Sequence, residues 1–257
     1  MFHIGRGHFT KQIKDLGFEV HNYQNESCID ESVFEKIDTE EKAYWLGFLY
    51  ADGYVAKDRF TVSISLKEED RNHLYKFKKF LNAPNKIGFK KVCLYNKNTD
   101  EVKEYPTATF SINRKKIHED LIDKGCIPQK TFKLKFPSEE TLPQNLIRHF
   151  VRGFVDGDGY IGIDIQSEKA CYPRLNITCA SADFLLNLVK AMSWECKALR
   201  SKQNNKAFQM EWHSYKTFEM LETLYENATI YLDRKYQRYL ELKEIMKLKN
   251  AVLNQTE

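Results

Sequence analysis

Two aspartates, Asp52 and Asp158, hold the same place in two copies of one short pattern. Trp45 to Val55 reads WLGFLYADGYV and Val151 to Ile161 reads VRGFVDGDGYI, with a constant offset of 106 residues between Gly47 and Gly153. Phe48 matches Phe154, Gly53 matches Gly159 and Tyr54 matches Tyr160. Within each copy two small residues lie four apart, Gly47 with Ala51 and Gly153 with Gly157, so each helix carries a smooth stripe on one face. Two such stripes let two helices approach closely. That approach brings Asp52 and Asp158 together at helix C-termini, where the dipole disfavours a carboxylate. A cation between them would relieve the repulsion, and paired hard oxygens suit Mg²⁺, with Mn²⁺ or Ca²⁺ able to take the same place.

A single Asp-Gly after a helix is often only a cap and a turn. Repetition of the whole glycine-spaced helix argues against that reading here. The run from Asp156 to Ile161 also has the look of an EF-hand loop. Its first and twelfth ligand positions would fall on Phe154 and Ile165, neither of which binds calcium.

The elements that must position the two acids repeat as well. In the first copy Asp38, with Glu41 three residues on, predicts a helix start, and the helix runs to Asp52-Gly53. A hairpin follows (Tyr54 to Lys57 and Phe60 to Leu66), then a helix over 68–81, strands over 87–95 and 105–113, and a helix over 115–123. The second copy predicts a helix over 143–157, strands over 160–166 and 174–181, a helix over 182–192, strands over 197–203 and 207–213, and a helix over 215–226. A final helix covers 233–249. The fold class is therefore α+β: two pseudo-symmetric αββαββα halves, each with an antiparallel four-stranded sheet. The halves span residues 34–137 and 138–257, after an N-terminal appendage, residues 1–33, in which His8 to Val20 has a helical pattern.

Strand periodicity gives each sheet an open face. In the first half it carries Thr61, Ser63, Ser65, Thr107, Thr109 and Ser111. In the second it carries Arg174, Asn176, Thr178, Arg200, Lys202, Gln209, Glu211 and His213. Any half-solvated sheet alternates in this way. These side chains are also the donors and acceptors that read base edges in a major groove.

WLGFLYADG and VRGFVDGDG resemble the two motifs of the LAGLIDADG homing endonucleases, and the resemblance extends over both halves. It implies a monomer whose two motif helices pack at the centre while two sheets straddle a long double-stranded DNA site. It further implies that the eighth motif residues, Asp52 and Asp158, bind metal, with Ala51 and Gly157 adding backbone carbonyls. Each strand would then be cut across the minor groove, leaving short 3′ overhangs. The sixth position departs from the pattern in the first copy, being Tyr50 where the second has Asp156. Members of that family carry a basic residue near each cleavage centre, and Lys130 and Lys235 occupy matching places after the last helix of each half. A non-cleaving nucleic-acid-binding protein on the same scaffold, an RNA maturase or a transcription regulator, is the alternative; the presence of both acids argues against it.

Composition agrees with this reading. The chain has 257 residues, 42% hydrophobic and 13% aromatic, enough for one large or two smaller cores. There is no apolar run of membrane-spanning length and no signal-peptide pattern, which predicts a soluble intracellular protein. The six cysteines form no CxxC pair, so free thiols are expected. Net charge is only +4. It is uneven, however: seven acidic residues and one basic residue lie between Glu26 and Glu41, seven basic and three acidic between Arg114 and Lys135, and six basic and two acidic between Arg234 and Lys249. Each basic run alone reads as a solvated face, but two at matching places could face a polyanion.

Overall fold

The computed structural model describes residues 29–96, 100–165, 171–202 and 206–253. The helical pattern at His8 to Val20 lies outside these residues. The first half consists of α1 (Glu40–Asp52), β1 (Gly53–Val55), β2 (Thr61–Lys67), α2 (Arg71–Phe80), β3 (Gly88–Asn96), β4 (Glu101–Asn113) and α3 (Lys115–Asp123). The second repeats the order with α4 (Ile147–Asp158), β5 (Gly159–Ile165), β6 (Cys171–Cys179), α5 (Ala182–Ala191), β7 (Arg200–Lys202), β8 (Ala207–His213) and α6 (Tyr215–Tyr225), followed by α7 (Asp233–Leu253). The sheets have equivalent orders, β1-β2-β4-β3 and β5-β6-β8-β7, and every pairing is antiparallel. The α+β architecture with two αββαββα halves is as the sequence predicts.

The boundaries follow local chemistry. Thr39, not Asp38, caps α1: its hydroxyl accepts from the Lys42 N–H at 3.3 Å, while Asp38 pairs with the Lys42 ammonium at 2.8 Å. Ser181 caps α5, and Ser214 with Thr217 forms a capping box at α6. Short 3₁₀ turns, Glu68–Asp70 and Gln144–Leu146, replace the first turns predicted for α2 and α4. The β3–β4 ribbon is longer than its sequence pattern indicates and β7 is shorter.

One apolar core runs through both halves. Helix α1 is buried continuously from Ala43 to Tyr50, and α4 from His149 to Asp156. A helix enclosed on all sides is a central one, and these two form the middle of the molecule. Val62, Ile64 and Leu66 of β2, and Leu175 and Ile177 of β6, face inward against this layer. The core also begins ahead of Phe34: Ile29 and Val33, within the segment set apart as an appendage, are buried in it.

Candidate functional site

The close helix approach predicted from the small-residue stripes is present. A methyl group on Gly47 would lie 1.9 Å from the Phe150 carbonyl oxygen, and one on Gly153 would lie 2.0 Å from that of Tyr44. At the bottom of the seam a methyl on Gly157 would meet Ala51 Cβ at 2.3 Å and would stand 3.4 Å from Asp52 Oδ2. All four expected interface positions therefore lie on the seam, Gly47 and Gly153 against backbone of the facing helix and Gly157 against the Ala51 methyl. The seam ends at the two acids.

Asp52 and Asp158 are the last residues of α1 and α4. Burial pushes the Asp52 carboxyl above its ordinary range, against the pull of Lys235, Lys130 and Arg234. Asp158 is exposed at the surface, yet the protein packed around it still desolvates its carboxyl. Poor solvation, and then the charge of Asp52, raise it to about 6, against Lys130 and Lys235. Each carboxylate is thus costly to ionise, and part of the cost for Asp158 is the other acid. A divalent cation fits this donor set, because it would stabilise both ionised forms at once. Among the described residues no group of three or more His, Cys, Asp or Glu side chains could hold a metal. The remaining ligands would have to be carbonyls, such as those of Ala51 and Gly157, with water and phosphate.

The two lysines predicted to flank the acids sit at matching places but make different contacts. Lys130 is half-buried and donates to the carbonyl of Gly53, the residue after α1. Lys235 is only 4% exposed and donates to the carbonyls of Val155 (2.5 Å), Asp156 (2.7 Å) and Gly159 (2.6 Å), with Gly157 further off at 3.5 Å. It closes the C-terminus of α4, adding a donor to its last carbonyls, of which that of Val155 also accepts the Gly159 N–H. Burial lowers its ammonium to about 8, although Asp156 favours the charge.

Sequence reasoning gave Asp156 no role, yet it organises the second half. Its buried carboxylate accepts from the Tyr44 hydroxyl (2.7 Å), the Tyr225 hydroxyl (2.6 Å) and the Leu232 N–H (2.7 Å). It thereby fixes the turn that launches α7 and so the position of Lys235. Because Tyr44 spends its proton on Asp156, His73 Nε2, 3.1 Å from the same hydroxyl, must carry a hydrogen; Nδ1, which has no partner, is then bare. Burial holds His73 well below its usual range, consistent with a neutral ring. At the equivalent sixth position, the Tyr50 hydroxyl donates to the Lys124 carbonyl (2.6 Å), just beyond α3, and packs over Gly125, whose φ is +90°. In both copies the sixth residue anchors the segment that carries the lysine. Arg152, fully buried, ties the halves together: it donates to the carbonyls of Ile230 (2.9 Å) and Leu224 (2.8 Å) and to Glu40 of α1 (2.7 Å). The opposite charges of Arg152 and Asp156, four residues apart on the helix that carries Asp158, were the signal in the sequence for this buried polar set.

The register places the expected base-reading residues of each half on one face of its sheet. Thr61, Ser63 and Ser65 stand opposite Asn113, Ser111 and Thr109, and Thr107 stands opposite Lys67. Arg174, Asn176 and Thr178 stand opposite His213, Glu211 and Gln209, and Arg200 and Lys202 stand opposite Gln209 and Ala207. Two expectations are corrected. Gln209 is 3% exposed, enclosed on a central strand between Thr178 and Arg200, and its Oε1 has no hydrogen-bond partner. Glu211 is not a free acceptor, since Arg174 and Arg200 both bind its carboxylate. Tyr54 and Tyr160, each 56% exposed and two residues beyond an acid, lie on the same open faces.

The basic runs are less free than their composition implies. Arg114 pairs with Glu31 (3.3 Å) and Lys116 with Glu35 (3.0 Å), so the acidic segment ahead of α1 neutralises part of the first run. In the second, Arg234 pairs with Asp70 (2.9 Å) and Lys243 with Glu222 and Glu226. No helix of the described residues is long and apolar enough to cross a membrane.

Among solved structures the chain is similar to the I-LtrWI LAGLIDADG homing endonuclease bound to target DNA, at 14% identity over 83% of this chain and 92% of that one, with a TM-score of 0.52. It is similar to I-SmaMI bound to an uncleaved DNA target in the presence of calcium ions, at 13% identity over 83% and 93%, also with a TM-score of 0.52. The fold is that of the LAGLIDADG homing endonucleases. No family model and no curated protein matches the sequence.

Proposed function

We propose that the chain is a site-specific double-strand DNA endonuclease, acting as a monomer with a divalent metal ion such as Mg²⁺ and cutting one phosphodiester on each strand. What carries this reading is the pair Asp52 and Asp158, two carboxyls raised above their ordinary range at the abutting ends of α1 and α4, each followed directly by the first strand of a sheet with a polar face. The proteins sharing this fold were seen bound to DNA, one with calcium ions present. A metal held by Asp52 and Asp158, with the carbonyls of Ala51 and Gly157, supplies charge stabilisation at the scissile phosphate and lowers the pKa of bound water.

The chain's own groups do the rest. Gly47 and Gly153 set the separation of the acids by letting the backbones touch. Lys130, with one carbonyl partner, is the better placed of the two lysines to offset charge on a phosphate. Lys235, saturated by carbonyls, contributes its field from within. On the open faces Thr61, Ser63, Ser65, Thr107, Thr109 and Ser111 of one half, and Arg174, Asn176, Thr178, Arg200, Lys202 and His213 of the other, contact base edges in the major groove. Residues 34–137 and 138–257 form the two halves of the enzyme.

The test is a cleavage selection from a randomised or genomic duplex library with Mg²⁺ and with EDTA. Recovery of one long target cut on both strands only with metal supports the proposal. Duplex binding without cleavage of any sequence favours the non-cleaving alternative.

A further inference from the structure

The two open faces differ in one chemical respect. No arginine occurs in any strand of the first sheet, whereas the second has Arg174 on β6 and Arg200 on β7, one on each side of β8. Between them stands Glu211, whose side chain is only 8% exposed while those of Arg174 and Arg200 are 40% and 66% exposed. Arg174 donates through Nε and Nη2 to Glu211 Oε1, and Arg200 Nη1 lies 3.3 Å from Oε2. One carboxylate on β8 therefore holds two guanidinium groups, one from each flanking strand.

The geometry points to a guanine-reading element, and we propose that Glu211 is its positioning residue; this rests on the reading that the sheets face DNA. A guanidinium has five N–H donors in a planar fork. Arg174 spends its Nε–H and one Nη2–H on Glu211, which leaves the end edge, Nη1 and the second Nη2–H, facing away from the carboxylate and fixed in direction. That end matches the O6 and N7 acceptors of guanine, the commonest specific contact in the major groove. Without Glu211 each long side chain would be free to swing to a phosphate, where it would add affinity and no sequence information. Because both arginines converge on one carboxylate, the guanines they read must lie within about two base-pair steps, roughly 7 Å. The carboxylate itself is occupied, so it does not read cytosine. The first sheet, with its hydroxyls, has no comparable fork and should discriminate less at each position.

The experiment is selection of bound and cleaved sequences from randomised duplex DNA by the full chain, as wild type, Arg174→Lys, Arg200→Ala and Glu211→Gln. Wild type should require guanine at two positions within three base pairs on one side of the target. Arg174→Lys, which keeps the charge, and Arg200→Ala should each relax one position by roughly tenfold to a hundredfold. Glu211→Gln keeps both arginines and gains net positive charge. It should bind unrelated duplex more tightly yet lose about tenfold in guanine preference, a split that a purely electrostatic role would not produce. Undiminished guanine preference in Glu211→Gln, or a wild type that binds and cuts with no guanine requirement, overturns this inference alone. A wild type that binds no duplex overturns the endonuclease reading beneath it.

Discussion

The two halves share elements, strand orders and central helices, yet they secure equivalent positions with different chemistry. In the first, Tyr50 reaches a backbone carbonyl, Lys130 makes one bond to the end of α1, and the open face is lined with hydroxyls. In the second, a buried carboxylate gathers two tyrosines and an N–H, Lys235 is enclosed by carbonyls, and the open face carries paired charges. Symmetry is kept where backbone geometry sets the distance between the acids. It is lost where side chains only need to satisfy their neighbours, because several polar solutions fill the same space at similar free energy.

The seam should be the most sensitive place. Gly47→Ala and Gly153→Ala press a methyl into a carbonyl oxygen that belongs to a helix and cannot rotate away. Overpacking of this kind costs about 1–3 kcal/mol and sometimes more. Both variants should lower the melting temperature clearly, whereas Gly88→Ala, whose nearest neighbour would be 3.8 Å off, should not. Equal melting of all three variants would mean the helices can separate at little cost.

A comparable contrast separates the lysines. Lys235→Met removes three short carbonyl contacts in a buried place, of which only that of Val155 keeps another donor, the Gly159 N–H, and should destabilise by roughly 1–3 kcal/mol. Lys130→Met loses a single bond from a half-buried side chain and should stay within about 1 kcal/mol of wild type. Denaturant titration gives both numbers, and similar values for the two would show that the halves are energetically equivalent after all.

The smallest effect concerns pH. Burial, and then Arg152, lower His149 to about 4 from an ordinary value near 6.5. A depressed folded-state pKa stabilises the fold above the unfolded value, and that stabilisation is lost as pH falls from about 6.5 through 4. Wild type should therefore lose more stability between pH 7 and 5 than His149→Gln, which cannot take up the proton. Parallel stability curves for the two proteins would remove His149 from the account.

Much of this was legible before any coordinates. The small-residue spacing located the helix contact, the period of two separated inner from outer strand faces, and the repeat supplied the topology. Each is a one-dimensional pattern with a direct geometric meaning. What the pattern hid depends on contacts between segments far apart in the chain. Nothing near Lys235 in sequence says that the carbonyls of Val155, Asp156 and Gly159 surround it, and nothing near Gln209 says that it is enclosed on a strand between β6 and β7. The Thr39 cap was missed by one residue because Asp38 and Thr39 are both competent caps, and Lys42 claims Asp38.

The central claim is that Asp52 and Asp158 are held together to bind metal and not to stabilise the fold. Thermal melting in EDTA, paired with cleavage of the selected duplex in Mg²⁺, tests it on Asp52→Asn and Asp158→Asn. Each substitution keeps the side-chain shape and removes a carboxylate that is poorly solvated and set against a helix dipole. Cleavage should fall by orders of magnitude while both variants melt at or above the wild-type temperature. Full cleavage by both, or melting well below wild type with cleavage reduced only in proportion to the folded fraction, would contradict the account and make the two acids part of the scaffold.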